Sequence, residues 1–447
     1  MRLETSGAVP AGRALMFTVA LWIGGQASLP SAEATNAHFL HGAGPTDLAM
    51  GGSTIAAPQD TIGSLYNDVG SLTQFEGTRV DISLEAIRSR RSVESRLGTL
   101  HGRSQSGSDF GLIPGFGVAH TPEGSSITYF VGALGVSGFG TDYAEDETNP
   151  ILRRQVENGR NTGGFGKIYS FYQLLRITGG VAVKVTPDLS LGVGPTINYS
   201  TLSLEPFPAA SPDCTPEGTC AYPSASDSAP AVGFGFLLGL HYRLNDTITL
   251  GLGYTSPQWF TKFRWNSSVA NPELDTFGKG RHFSFQLNAP QSVQFGVGWQ
   301  ATPELLVTTS GKWMNLANTK GLGDKGFDAT GRVRGFGWAN IWATGVGAQY
   351  QVTPGFALRL GYNYSEDPID DSRAMISVPA PGSMGHHATG GRGLTISDHV
   401  ELNFGYYHTF AKPFGGSFVS PMGPVPNSAV KSTPSEDSVQ LEVSFKL

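Results

Sequence analysis

The chain has 447 residues, a formal net charge of −6, 15% charged residues, 60 glycines and two cysteines. The weakly acidic balance argues against a nucleic-acid partner, and the length alone would allow two or three soluble domains. No linker or shift in composition after residue 78 divides the chain, however, and glycine stands well above the ordinary ~7%.

The N-terminus reads as an export signal. Arg2 and Arg13 flank the start, residues 14–24 are apolar, and Ala32-Glu33-Ala34 has the small-residue pattern of a cleavage site. The expected leader is residues 1–34, with the mature chain beginning near Thr35. The apolar run is too short for a spanning helix, which takes ~20 residues. No later segment would serve either, so a membrane form of this chain must be a closed barrel.

Residues 35–77 show no strand alternation. They read as short helical turns broken by glycine, with Asp47 and Asp60 as candidate N-caps. Their small and apolar character favours a plug, or hatch, folded into a lumen; a disordered tail would carry more charge. A first strand is expected at 79–88, opening a barrel that occupies residues 78–447.

Six short turns then punctuate the chain: Thr121-Pro122-Glu123, Thr186-Pro187-Asp188, Leu244-Asn245-Asp246, Thr302-Pro303-Glu304, Thr353-Pro354-Gly355 and Ile396-Ser397-Asp398. Each lies between stretches that alternate apolar and polar residues. Phe295, Val297 and Trp299 share one face, opposite Gln294, Gly296 and Gly298. Leu358, Leu360, Tyr362 and Tyr364 likewise oppose Arg359, Gly361 and Asn363. Roughly 45 to 65 residues separate successive turns, which leaves long polar connections at the other end of the strands. A soluble β-sandwich would need tight hairpins at both ends. One tight end and one long-looped end predict an all-β fold: an antiparallel transmembrane β-barrel of 14 strands, with the six turns in the periplasm and the long loops outside.

Cys214 and Cys220 share one Pro/Ser/Asp-rich outer loop, where export favours a disulfide. His386 and His387 are adjacent in a strand and face opposite sides, so they cannot easily chelate one ion. No metal site, cofactor or catalytic constellation emerges, and no glycine–serine elbow marks an enzyme. The chain ends in a further alternating run: Val439, Leu441, Val443, Phe445 and Leu447. This resembles the terminal signal read by the outer-membrane barrel-assembly machinery, although such signals usually end in Phe or Trp.

The order of several stretches resembles the FadL/TodX family of outer-membrane transporters for long-chain fatty acids and other hydrophobic compounds. Ala49-Met50-Gly51-Gly52, followed by Ala56-Ala57-Pro58-Gln59-Asp60, is similar to the opening of the family's plug. Gly361-Tyr362-Asn363-Tyr364 through Asp367-Pro368-Ile369 resembles the strand and loop after a late turn. Ala380-Pro381-Gly382 with Gly385-His386-His387-Ala388-Thr389 resembles the entry into the twelfth strand. The plug turn Tyr66-Asn67-Asp68 departs from the family pattern, since Asp68 and Val69 stand where Pro and Ala are usual. Aspartate could turn the chain by bonding its own backbone.

The resemblance implies capture of a hydrophobic molecule by the outer loops, plug-gated passage, and lateral exit through a gap in the wall. Gly132, Gly135, Gly138 and Gly140 of the third strand are the candidate gate, because glycine permits the bulges that interrupt a ladder. They could equally pack small against the plug. Phe39 and Leu40 are the candidate ligand contacts from the plug, and Arg359 is an inward cation that could meet a carboxylate. The implied setting is the outer membrane of a Gram-negative bacterium. Fatty acids or similar hydrophobic small molecules would be the ligands, outer-membrane lipids and the assembly machinery the partners, and a monomer the working unit. A surface adhesin or phage receptor and a general porin are the alternatives. No TonB-recognition segment stands out near the mature N-terminus.

Overall fold

In the computed structural model, residues 36–447 are described. The expected leader lies outside them. Fourteen strands form one closed antiparallel wall. They are β1 (Gly77–Leu97), β2 (Phe110–Thr121), β3 (Ile127–Tyr143), β4 (Ile168–Lys184), β5 (Leu189–Glu205), β6 (Ala225–Arg243) and β7 (Ile248–Thr255). They continue as β8 (Ser292–Gln300), β9 (Leu305–Met314), β10 (Ile341–Thr353), β11 (Phe356–Ser365), β12 (His386–Ser397), β13 (Val400–Thr409) and β14 (Ser428–Lys446). Each strand pairs with its chain neighbours, and β14 closes the ring by pairing β1 from Arg79↔Lys446 to Leu97↔Ser428. All six short turns join strand pairs at one end of the barrel, as the sequence predicts.

β1 is longer than expected, 21 residues instead of the ten of 79–88. Its outer half carries inward Ser89, Arg91 and Ser95, which blur the apolar alternation, and there it pairs with a short ribbon, Leu100–Gln105. Side-chain parity elsewhere follows the pattern read from the sequence. Leu358, Leu360, Tyr362 and Tyr364 face outward, while Arg359 and Asn363 are buried. Phe295 and Trp299 point outward with Gln294 inside. An outward band of exposed apolar side chains is what a hydrocarbon bilayer requires of a barrel surface.

The lumen is filled by the residues before β1. Helix α1 (Pro45–Ala49), a 3₁₀ turn (Thr54–Ala56), helix α2 (Thr61–Asn67) and a second 3₁₀ turn (Val69–Gln74) are buried almost throughout. Asp60 caps α2, its carboxylate accepting from Gly63 N at 2.6 Å. Asp47 is not a cap. It lies inside α1, because Pro45 has already begun the helix two residues earlier. Asp47 instead gathers donors from across the plug, accepting from Ala43 N, Thr54 N, Thr54 Oγ1 and Asn67 Nδ2 at 2.6–3.1 Å. Burial raises its carboxyl pKa, a rise that these hydrogen bonds oppose without cancelling. Asp68 turns the chain by accepting from Gly70 N at 2.8 Å.

The glycine content acquires a reason here. Inward glycines of the wall lie where the plug's backbone rests on it. A Cβ at Gly251 would stand 2.5 Å from Ile55 O, one at Gly347 2.5 Å from Met50 O, and one at Gly405 2.6 Å from Pro45 O. At Gly253 it would run into Asn67 O. Wall side chains then bond the plug's free carbonyls: Thr389 Oγ1 to Ala49 O at 2.8 Å, Asn363 Nδ2 to Gly51 O at 3.0 Å, and Thr249 Oγ1 to Ala56 O at 2.5 Å. Buried backbone groups need partners, and the wall supplies them where the plug's short helices cannot. Gly51 and Gly52, at φ 67° and 71°, reverse the chain after α1.

Candidate functional site

The wall is uneven at β3. Strand β2 pairs β3 only from Gly115↔Leu134 to His120↔Tyr129, although it pairs β1 along its whole length. On its other side β3 follows β4 from Ile127 to Tyr143 with one irregularity, between Gly135 and Ser137, where Val136 is the extra residue. Above Leu134, then, β3 makes no ladder pairs with β2, which leaves a window in the ladder. Pro114, which has no N–H to donate, stands at its lower edge. Farther out, Gly107 in the connection before β2 donates its N–H to Asp142 O of β3 at 2.7 Å.

The segment of residues 36–40 occupies the inner side of this window. Leu40 N donates to Val136 O at 3.3 Å, Gly138 N donates to His38 O at 3.2 Å, and Ser137 Oγ bonds the same carbonyl at 2.7 Å. Of the four glycines proposed for the gate, Gly135 sits beside the bulge and Gly138 bonds the segment. Gly132 is in the regular ladder opposite Gly117, and Gly140 opposite Phe171.

Phe39 closes one side of a narrow cavity of about 30 Å³. Val136, Leu174 and Met314 give it an apolar side; Arg176, Lys312 and Tyr66 give it a polar one. Leu40 does not line it and packs in the core behind, its carbonyl accepting from Tyr66 Oη at 2.6 Å. Lys312 Nζ donates to the same hydroxyl oxygen at 3.1 Å and lies 4.4 Å from the centre of the Tyr66 ring, with the Arg176 guanidinium 5.4 Å from it. Burial pushes the Tyr66 hydroxyl well above its usual range, so it stays a neutral donor. Among the described residues neither Arg176 nor Lys312 forms an ion pair with a carboxylate, and Arg176 Nε has no hydrogen-bond partner. Guanidinium keeps its charge even when buried. The cavity therefore offers an anion receptor at one side and hydrocarbon packing at the other.

Arg359, the inward cation singled out from the sequence, is elsewhere. It belongs to a separate polar chamber on the turn side, where it donates to Gln349 Oε1 at 2.6 Å and Asn403 Oδ1 at 2.9 Å. Arg176 and Lys312 escaped the reading although parity carried the signal: each is an isolated cation among inward neighbours, Leu174 and Thr178 for one, Ser310 and Met314 for the other. Tyr66 and Asn67 line the cavity; Asp68 does not. His387 is buried and His386 faces outward, and among the described residues no group of three or more ligating side chains could hold a metal ion. Cys214 and Cys220 are bonded to each other in an outer loop, with an S–S distance of 2.06 Å.

Solved structures share the architecture. The toluene transporter TodX of P. putida superposes with a TM-score of 0.70 at 16% identity, covering 91% of this chain and 99% of that one. A Pseudomonas aeruginosa FadL homologue gives 0.68 at 15%, covering 94% and 100%. The Ralstonia pickettii toluene transporter TbuX gives 0.61 at 17%, covering 90% and 98%. At such identities the likeness speaks for the fold alone. No curated protein sequence matches the chain. The family model for outer membrane protein transport proteins (OMPP1/FadL/TodX) matches residues 26–415. The chain therefore belongs to the OMPP1/FadL/TodX family of outer-membrane channels for hydrophobic compounds and is not an enzyme.

Proposed function

We propose that this chain carries amphiphilic hydrophobic molecules with an anionic end, long-chain fatty acids above all, across the outer membrane of a Gram-negative bacterium. The observation that carries the reading is the cavity in which the charge of Arg176 and the Lys312 nitrogen face apolar Val136, Leu174 and Met314. A carboxylate there gains charge-assisted hydrogen bonds while its chain takes the apolar side. TodX and TbuX are toluene transporters, and a neutral aromatic would use only the apolar half. With about 30 Å³ of room the site is closed, so binding must displace Phe39 and the N-terminal segment. Because that segment bonds the bulged stretch of β3, its displacement frees the window beside β2, through which the molecule would leave sideways.

Supporting this order of events, the segment that closes the cavity is also the segment that fills the window. The narrowness of the cavity weighs against a general porin. The protein would act as a monomer among outer-membrane lipids after insertion by the assembly machinery. The test is uptake of labelled oleate and labelled toluene by cells whose own transporter has been removed. Lys312→Met and Arg176→Leu should each weaken oleate uptake by about tenfold or more, the scale of a charged hydrogen bond, and leave toluene uptake unchanged. Equal loss of both substrates would refute the carboxylate receptor.

A further inference from the structure

Arg392 of β12 is a charged side chain on the lipid face of the wall. It is exposed on the outer face, while its neighbours Thr389 and Gly393 are buried toward the lumen. Two outward apolar side chains, Leu394 and Ile396, separate it from the turn. Its ladder partners are Leu358 of β11 on one side and Phe404 of β13 on the other. The step from Ile396 back to Arg392 is roughly 13 Å along the strand, at ~3.3 Å per residue. With a strand tilt of ~40° that is about 10 Å of height, inside an apolar band ~25 Å tall. Apolar surface therefore lies below Arg392 as well as beside it, and a charge facing lipid at that level is costly unless something meets it.

Among the described residues Arg392 forms no hydrogen bond and no ion pair; its guanidinium carbon lies 5.7 Å from the centre of the Phe404 ring. A ring face attracts the charge but accepts none of the five N–H groups as a carboxylate or phosphate would. Other cations on the outer face are placed differently. Arg243 adjoins a turn and pairs with Asp188 at 2.7 Å. Arg88 and Arg90 stand toward the outer end of β1, where Asp437 is the ladder partner of the first and pairs with the second at 2.9 Å. Above Arg392 the next outward positions of β12 are small, Gly390 and Ala388. Their ladder partners are Leu360 and Tyr362 of β11, and Tyr406 and His408 of β13. The small pair between larger neighbours leaves a shallow trough that runs up the wall from the guanidinium.

We infer that Arg392 holds the phosphate of an anionic phospholipid in the leaflet nearer the tight turns, with one acyl chain lying up the trough over Gly390 and Ala388. Charge complementarity selects this occupant. Phosphate is the anion that the leaflet itself supplies, and a guanidinium fork matches two of its oxygens. The long stem of arginine lets the head reach toward the interface while its methylenes stay in hydrocarbon. From the phosphate an acyl chain runs toward the middle of the bilayer, which is the direction the trough takes. The inference rests on the barrel's membrane setting and not on what the channel carries.

The test is native mass spectrometry of the full-length protein in detergent micelles. Three probes are titrated: dioleoylphosphatidylglycerol, dioleoylglycerol with the same chains and no phosphate, and glycerol phosphate with no chains. The wild type is expected to retain one phosphatidylglycerol. Arg392→Leu and Arg392→Gln should each weaken that binding about tenfold or more, the scale of a charged hydrogen bond, and Arg392→Lys should fall between. Heat-modified gel mobility should show every variant assembled, and oleate uptake should stay within about twofold of wild type, because Arg392 lies outside the lumen. Equal retention of phosphatidylglycerol by wild type, Arg392→Leu and Arg392→Gln overturns the site. Dioleoylglycerol bound as tightly as phosphatidylglycerol overturns it by showing chain contact alone. Glycerol phosphate bound as tightly overturns it by making the ligand a free anion. A dimer that Arg392→Leu dissolves overturns it by making a second copy of the chain the occupant. The transport reading stands under each of these results.

Discussion

The side chains that decide the inner site are few, and each does more than one thing. Tyr66 bonds Leu40 O, receives Lys312 and lies under Arg176, so it joins plug, wall and cavity. Asp47 accepts from three parts of the plug at once, and its loss leaves buried donors unsatisfied at ~1–3 kcal/mol each. Asp47→Ala is therefore expected to loosen the plug without disturbing the wall. Single-channel recordings in planar bilayers should show a raised and fluctuating conductance, while heat-modified gel mobility stays that of an assembled barrel. A quiet channel would show that the other plug contacts suffice. The sequence told which face Arg359 occupies, but not that Arg176 and Lys312 meet at the cavity. Parity assigns a side chain to the lumen; its height and its plug neighbour come from contacts far apart in the chain, Lys312 to Tyr66 being one.

Among the elements, β3 differs most from its neighbours. The turns, strand count and faces were legible because each depends on local chemistry: a Pro or Asp at the turn, and period-two alternation along the strand. The glycines pointed to β3 as well, but not to the bulge at Val136 nor to the length of the window, since a ladder's end depends on the partner strand. Gly135 is the sensitive position. A Cβ there would stand 2.7 Å from Ile113 Cγ2, so Gly135→Val pushes Ile113 toward the window. Fatty-acid uptake should fall in that variant with the amount of assembled barrel unchanged. Uptake at the wild-type rate would rule out this window as the exit. The N-terminal segment shares the bulge through Leu40 and Gly138, and its alternation-free sequence concealed that it lies strand-like against β3.

For the whole molecule, the division is between a closed ring of fourteen strands and a short insert that fills its lumen. Removing residues 36–70 should convert a tight channel into a conducting one with no loss of β-structure by circular dichroism. A barrel that already conducts fully with the segment present would instead be an open pore. The outer loops form a second region of packing, with buried Phe207, Trp265 and Trp338 above the barrel's strands. Their arrangement was not legible from composition, because aromatic residues in a long loop can as readily serve the membrane interface as a loop core.

The glycines beneath the plug have a bearing on how such proteins can be recombined. Gly251, Gly253, Gly347 and Gly405 match individual carbonyls of one particular insert, as teeth match one key. A hatch transplanted alone would meet side chains where its backbone needs bare wall, and the graft would seat only if those four positions travelled with it.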